Sequence, residues 1–177
     1  MKTLILGGAR SGKSRLAEQR ARHSELDVTC VATATAGDEE MRARIAAHQA
    51  QRPQHWRLVE EPLALASAMR SHATAQGLLL VDCLSLWMCN LLSHPDPDRW
   101  PAERADLLAA LPALPGEVLI VSNETGLGVV PMGELSRRYC DESGWLHQEL
   151  ARRCDRVIFI VAGLPQLLKG KPWTSPS

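Results

Sequence analysis

The strongest constraint on this chain is the run Gly7-Gly8-Ala9-Arg10-Ser11-Gly12-Lys13-Ser14, which fits the pattern GxxxxGK[ST]. It follows the apolar, strand-like residues 3–6 and opens a helical pattern over residues 13–23. Strand, glycine-rich turn and helix in that order form a phosphate-binding loop. Glycines let the backbone bend until successive N–H groups converge on an anion. The helix N-terminus adds partial positive charge. In such a loop Lys13 reaches the β- and γ-phosphates, and the Ser14 hydroxyl holds Mg2+. The expected ligand is GTP or ATP, gripped by Gly7, Gly8, Ala9, Arg10, Ser11, Gly12, Lys13 and Ser14.

The rest of the chain repeats that alternation. Apolar runs at 28–33, 56–59, 78–81, 117–121 and 157–161 predict strands, the last of these closing the sheet. Helical patterns fall at 38–51, 62–73, 84–92, 102–111 and 134–153. Residues 93–101 hold three prolines and predict a surface loop; 126–133 are glycine-rich and predict irregular backbone. Short buried strands alternating with helices indicate an α/β fold: a mostly parallel sheet flanked by helices, in the P-loop NTPase class. Residues 1–170 form one catalytic domain in this reading, and 171–177 a flexible tail. Ligands bind such sheets beyond the carboxyl ends of the strands.

Two polar clusters fall at those ends. Asp82 follows Leu78-Leu79-Leu80-Val81 and is placed to bind Mg2+ directly or through water; a helix-capping role is the alternative. The next residue is Cys83, where many motor ATPases carry a water-activating glutamate, so group transfer is favoured over hydrolysis. Ser122-Asn123-Glu124 follows the strand at 117–121; these residues either hold substrate or sense the γ-phosphate, or form a plain turn. On the helix predicted at 38–51, Met41, Arg44, Ile45 and His48 share one face. An imidazole can attack phosphorus and pass the group on, and Arg44 lies one turn away to steady a phosphate. By residue type alone a lone histidine such as His48 is more often structural or solvated, with His23, His55, His72, His94 and His147 as competitors.

Composition narrows the partners. Lys+Arg and Asp+Glu are both 20, so the net charge is zero. A nucleic-acid or membrane-surface binder would show a basic excess. No apolar run approaches the ~20 residues of a membrane helix, and no signal-peptide pattern opens the chain. The five cysteines lack metal-knuckle or redox spacing, and Cys30, Cys83 and Cys89 sit in or beside apolar runs. Reduced core thiols in a cytoplasmic protein are expected.

The motifs together resemble the bifunctional adenosylcobinamide kinase/adenosylcobinamide-phosphate guanylyltransferase family of cobalamin biosynthesis. The matching stretches are GGARSGKS, VATA from Val31, MRARIAAH with RPQHW from Met41, LVDCLSLWMCNLL from Leu80, VSNETGLGVVP from Val121 and LSRRYCDESGWLHQELA from Leu135. The resemblance spans residues 3–169. It implies phosphorylation of the aminopropanol hydroxyl of adenosylcobinamide with ATP or GTP, then GMP transfer from GTP through a histidine-bound intermediate. It assigns that histidine to His48. It implies guanine-nucleotide contacts at Thr33, Arg52 and Glu60, a RecA-type arrangement and a homo-oligomer, often a trimer. His147 stands where some relatives have asparagine, and Asp82 where some have glutamate. The corrinoid surface is not located by motif; residues 126–131 together with a neighbouring subunit are candidates.

Overall fold

The structure is a computed structural model that describes residues 1–35, 39 and 52–173. Its elements run β1 (Lys2–Gly7), α1 (Lys13–Arg22), β2 (Asp27–Ala32), β3 (Arg57–Glu60), α2 (Leu65–His72), β4 (Gly77–Asp82), α3 (Leu84–Leu92) and α4 (Arg99–Ala110). A 3-10 turn (Leu111–Ala113), β5 (Glu117–Asn123), α5 (Glu134–Arg153), β6 (Arg156–Val161) and β7 (Leu164–Lys169) complete the chain. The helix predicted over 38–51 lies outside the described residues.

The strands form one sheet in the order β3-β2-β4-β5-β1-β6-β7, parallel except for β7. Side chains alternate between its two faces. Leu4, Leu6, Val81, Val118 and Ile120 pack beneath α2, α3, α4 and α5. Ile5, Leu78, Leu80, Leu119 and Val121 face α1 through Ala17 and Ala21. Burial on both faces is why the central strands read as continuous apolar runs rather than alternating ones. Every parallel strand ends at the same edge, so Gly7, Ala32, Asp82 and Asn123 meet there.

Three expectations change. The strand over 157–161 is not the last: the chain turns at Ala162 and Gly163, both at positive φ, and returns as antiparallel β7. Two left-handed residues make the tight hairpin turn that suits twisted strands. Pro165 lies within β7, and an edge strand tolerates proline. The loop predicted over 93–101 gives way to α4 at Arg99, because Pro101 sits in its first turn, where no N–H is required. Trp100 is thereby buried edge-on against Trp87, ring centroids 5.5 Å apart. Cys89 faces solvent, whereas Cys30 and Cys154 are buried; all five cysteines are free thiols. Burial pushes the Cys30 and Cys154 thiols up to about 12. At the C-terminal end, Arg156 Nε donates to Lys171 O at 2.6 Å and both Arg20 and Arg156 lie over the Trp173 ring. Residues 171–173 therefore lie against the domain.

Candidate nucleotide site

The loop between β1 and α1 is a tight anion cradle. A Cβ on Gly7 would stand 2.5 Å from Ser11 Oγ and 2.7 Å from the Ile160 carbonyl, so only glycine fits. Gly12 takes φ 99° and Arg10 φ 57°, the left-handed turns that carry the backbone around the cradle. Ser11 N–H donates to Gly8 O at 3.2 Å, and Gly163 N–H donates to Ser11 O at 2.9 Å. The β6–β7 turn thus braces the loop from outside.

Lys13 is buried and its Nζ donates to Gly8 O at 3.1 Å. Burial pushes its pKa down, with Cys83 and Asp82 pulling the other way. A phosphate's negative charge beside it would offset that burial cost. Ser14 Oγ donates to Asp82 Oδ1 at 3.3 Å, joining the start of α1 to the end of β4. The opposite oxygen, Asp82 Oδ2, accepts from Arg52 Nη2 at 3.2 Å, and Arg52 Nε lies 3.8 Å from Glu18 Oε1. All three side chains are about nine-tenths buried. The site floor is therefore an acid–base–acid chain.

Above that floor opens a cavity of 760 Å³, lined by Ala9 through Arg15 of the loop, Ala32, Ala34, Arg52, Asp82, Cys83, Leu86, Asn123, Ala162 and Gly163. The size suits a nucleotide-scale ligand. The Asn123 side-chain oxygen is buried on this wall with no hydrogen-bond partner among the described residues.

The other expected site residues fall less directly. Thr33 Oγ1 donates to Cys83 O at 2.6 Å and accepts from Cys83 N–H at 3.2 Å. Its hydroxyl clamps β2 to the start of α3, while its neighbours Ala32 and Ala34 line the cavity. Glu60 ends edge strand β3, in register with Ala32, and is not part of the cavity wall. His48 and Arg44 lie outside the described residues.

Two arrangements could not be read from the sequence. Glu18 looks like a solvated helix charge, and only the fold brings Arg52 to it. Ser122, Asn123 and Glu124 diverge: Ser122 Oγ lies 2.7 Å from His147 Nε2, buried beneath α5. His147 Nδ1 lies 3.6 Å from Glu124 Oε2. Burial pushes the His147 pKa down, and Glu124 opposes it. Glu124 N–H donates to Gly7 O at 3.0 Å, tying this network to the phosphate loop.

The geometry joins a cradle of N–H groups, a buried cation, a hydroxyl and a carboxylate at one end of a nucleotide-sized cavity. That set can neutralise and orient a polyphosphate. Residues 3–168 match the family described as cobinamide kinase / cobinamide phosphate guanyltransferase. A Pseudomonas aeruginosa protein named bifunctional adenosylcobalamin biosynthesis protein CobP is 64% identical over 172 residues, covering 97% of this chain and 99% of that protein. An Escherichia coli K12 protein named bifunctional adenosylcobalamin biosynthesis protein CobU is 36% identical, covering 96% of this chain and 100% of its own. Among solved structures, the RadB recombinase superposes with a TM-score of 0.51 at 16% identity, covering 89% of this chain and 73% of that one. This last likeness concerns the fold alone. No helix among the described residues is long and apolar enough to cross a membrane.

Proposed function

The chain belongs to the cobinamide kinase / cobinamide phosphate guanyltransferase family, and on that premise we propose that it performs both reactions at the phosphate-loop cavity. In the first, the aminopropanol hydroxyl oxygen of adenosylcobinamide attacks the γ-phosphorus of ATP or GTP. The bond to the β-phosphate oxygen breaks, the nucleoside diphosphate leaves, and the hydroxyl proton passes to solvent. In the second, a His48 ring nitrogen attacks the α-phosphorus of GTP and displaces pyrophosphate. A phosphate oxygen of adenosylcobinamide phosphate then attacks that same phosphorus, the P–N bond breaks, and adenosylcobinamide-GDP leaves.

The observation that carries this reading is the Lys13, Ser14 and Asp82 cluster at one end of the 760 Å³ cavity. Loop N–H groups from Gly8 to Ser14 hold the β-phosphate. Lys13 balances the charge on the β- and γ-oxygens and orients the γ-phosphorus toward the acceptor. Arg52 holds the Asp82 carboxylate in place, and the family resemblance supports Arg52, Thr33 and Glu60 as guanine-nucleotide contacts. A carboxylate such as Glu60 accepts well from guanine N1–H and its amino group.

Ser14 Oγ and Asp82 Oδ1 are two hard oxygens 3.3 Å apart beside the phosphate position. They fit Mg2+, which takes one or two protein oxygens and completes its shell with phosphates and water. Bound there, Mg2+ supplies charge neutralisation on the phosphate oxygens. The balanced surface charge and free thiols support a cytoplasmic place of work without a nucleic-acid partner, and the family resemblance supports a homo-oligomer.

Incubation with GTP labelled at the α-phosphate tests the covalent step. Acid-labile label on the protein, absent in His48→Ala, is the expected result. Phosphorylation of cobinamide with no labelled protein would leave a kinase alone. Label undiminished in His48→Ala would move the nucleophile to another histidine.

A further inference from the structure

Glu60 stands at the end of β3, a four-residue strand at the edge of the sheet whose residues are exposed or half-buried. Such a strand has one neighbour to hold it and little packing. Its ladder to β2 runs from Thr29↔Arg57 to Ala32↔Glu60, and Glu61 N–H donates to Ala32 O at 2.9 Å. Past that bond the two chains leave the sheet, as residues 33–35 and 61–64. Backbone groups beyond a ladder need other partners where water is restricted.

Helix α3 supplies them. Cys83 at its N-cap, Trp87 and Asn90 fall at i, i+4 and i+7, on one face. The Cys83 backbone exchanges two hydrogen bonds with Thr33 Oγ1. Trp87 Nε1 donates to Leu63 O at 2.7 Å. Asn90 reaches both chains at once. Its Nδ2 donates to Thr33 O at 2.8 Å and to Pro62 O at 3.1 Å, while its Oδ1 accepts from Thr35 Oγ1 at 3.1 Å. Two carbonyls facing one atom identify it as the nitrogen, because only the NH2 end has two protons to give. Glu61 stiffens the second chain, its Oε1 accepting from Leu63 N–H at 2.9 Å and Ala64 N–H at 2.8 Å.

The Asn90 amide is therefore a cross-link. On one side it grips Thr33, whose neighbours Ala32 and Ala34 line the nucleotide cavity. On the other it grips Pro62, two residues beyond Glu60. Asn90 itself is not part of the cavity wall. A carboxylate reads the guanine N1–H and amino group together, which requires it to be held within about 0.5 Å of its place.

We infer that Asn90 is a positioning residue for guanine recognition, its side-chain amide holding the chain that carries Glu60 against the cavity wall at Ala32 and Ala34. This rests on the guanine contacts proposed above. Aspartate at this position would keep the acceptor for Thr35 and set an oxygen against two carbonyls; alanine would remove all three bonds.

Calorimetric titration of GTP and of ITP, each with Mg2+, on the wild type, Asn90→Asp and Asn90→Ala tests it. ITP differs from GTP in lacking the 2-amino group, so the ratio of the two affinities isolates the base contact from the phosphate loop. That ratio is also untouched by a loss of folded protein, which lowers both titrations alike. The expected result is a wild type that prefers GTP, and variants in which the preference falls at least about fivefold, the factor a single hydrogen bond is worth, with ITP affinity as in the wild type. An unchanged ratio in the folded variants overturns the inference. Loss of cooperative melting in both variants also overturns it, since Asn90 is then a cross-link of the fold alone. A wild type that binds GTP and ITP equally refutes the guanine contacts themselves, before any variant is made, and the positioning role falls with them.

Discussion

Arg52→Met separates a structural role for Arg52 from a purely nucleotide-contacting one. Arg52 holds Asp82 at 3.2 Å and lies 3.8 Å from Glu18, with all three groups about nine-tenths buried. Removing one side of a buried ion pair costs roughly 3–5 kcal/mol, because the remaining charge stays out of water. Asp82 keeps its hydrogen bond from Ser14 Oγ, and a margin of solvent reaches the group, so the expected loss is about 2–3 kcal/mol. For a domain of this length each kcal/mol moves Tm by about 2–4 °C. The ligand-free variant should therefore melt about 4–12 °C below the wild type by scanning calorimetry. Mg2+ with GTP should narrow the gap, since a cation at Asp82 replaces part of the missing charge. A variant that melts with the wild type in the absence of ligand, yet binds GTP weakly, would refute the buried chain as a structural unit. It would leave Arg52 as a nucleotide contact only.

Gly7→Ala forces a Cβ to 2.5 Å from Ser11 Oγ and 2.7 Å from a backbone carbonyl; GTP affinity by calorimetric titration should fall more than tenfold. Trp100→Ala removes a fully packed aromatic from beneath α4 and should cost about 3–5 kcal/mol in urea unfolding. Burial holds the folded-state pKa of His147 below its unfolded value of about 6.5. The unfolded chain therefore takes up that proton first as pH falls. Stability should drop below about pH 6.5, by at most about 1.4 kcal/mol per pH unit, until the folded-state value is reached. Denaturant midpoints across that range should show a shallower decline in His147→Asn.

The sheet was legible because its signals are local. Four-residue apolar runs and a glycine-rich turn carry their meaning within ten residues of chain. The features that escaped are those decided by distant contacts or by position within an element. Proline near Arg99 disguised α4, since its harmlessness depends on falling in the first turn. Pro165 and the Ala162-Gly163 turn disguised β7, because a proline-bearing strand is acceptable only at an edge that the sequence does not reveal. At the site, Lys13, Ser14 and Asp82 came from motif and strand end. The Glu18–Arg52–Asp82 chain joins α1, the segment before β3 and the end of β4, and no spacing rule links them. Ser122 could not be separated from Asn123 by type: strand alternation sends the first beneath α5 and the second to the cavity wall. His48 rests on the sequence alone.

The most direct measurement is the mass of the corrinoid recovered after incubating the protein with adenosylcobinamide, ATP, GTP and Mg2+. The account predicts two products in succession, the acceptor first gaining one phosphate and then a GMP unit, with neither formed by Lys13→Ala. Unmodified adenosylcobinamide in the presence of wild-type protein and consumed nucleotide would contradict it.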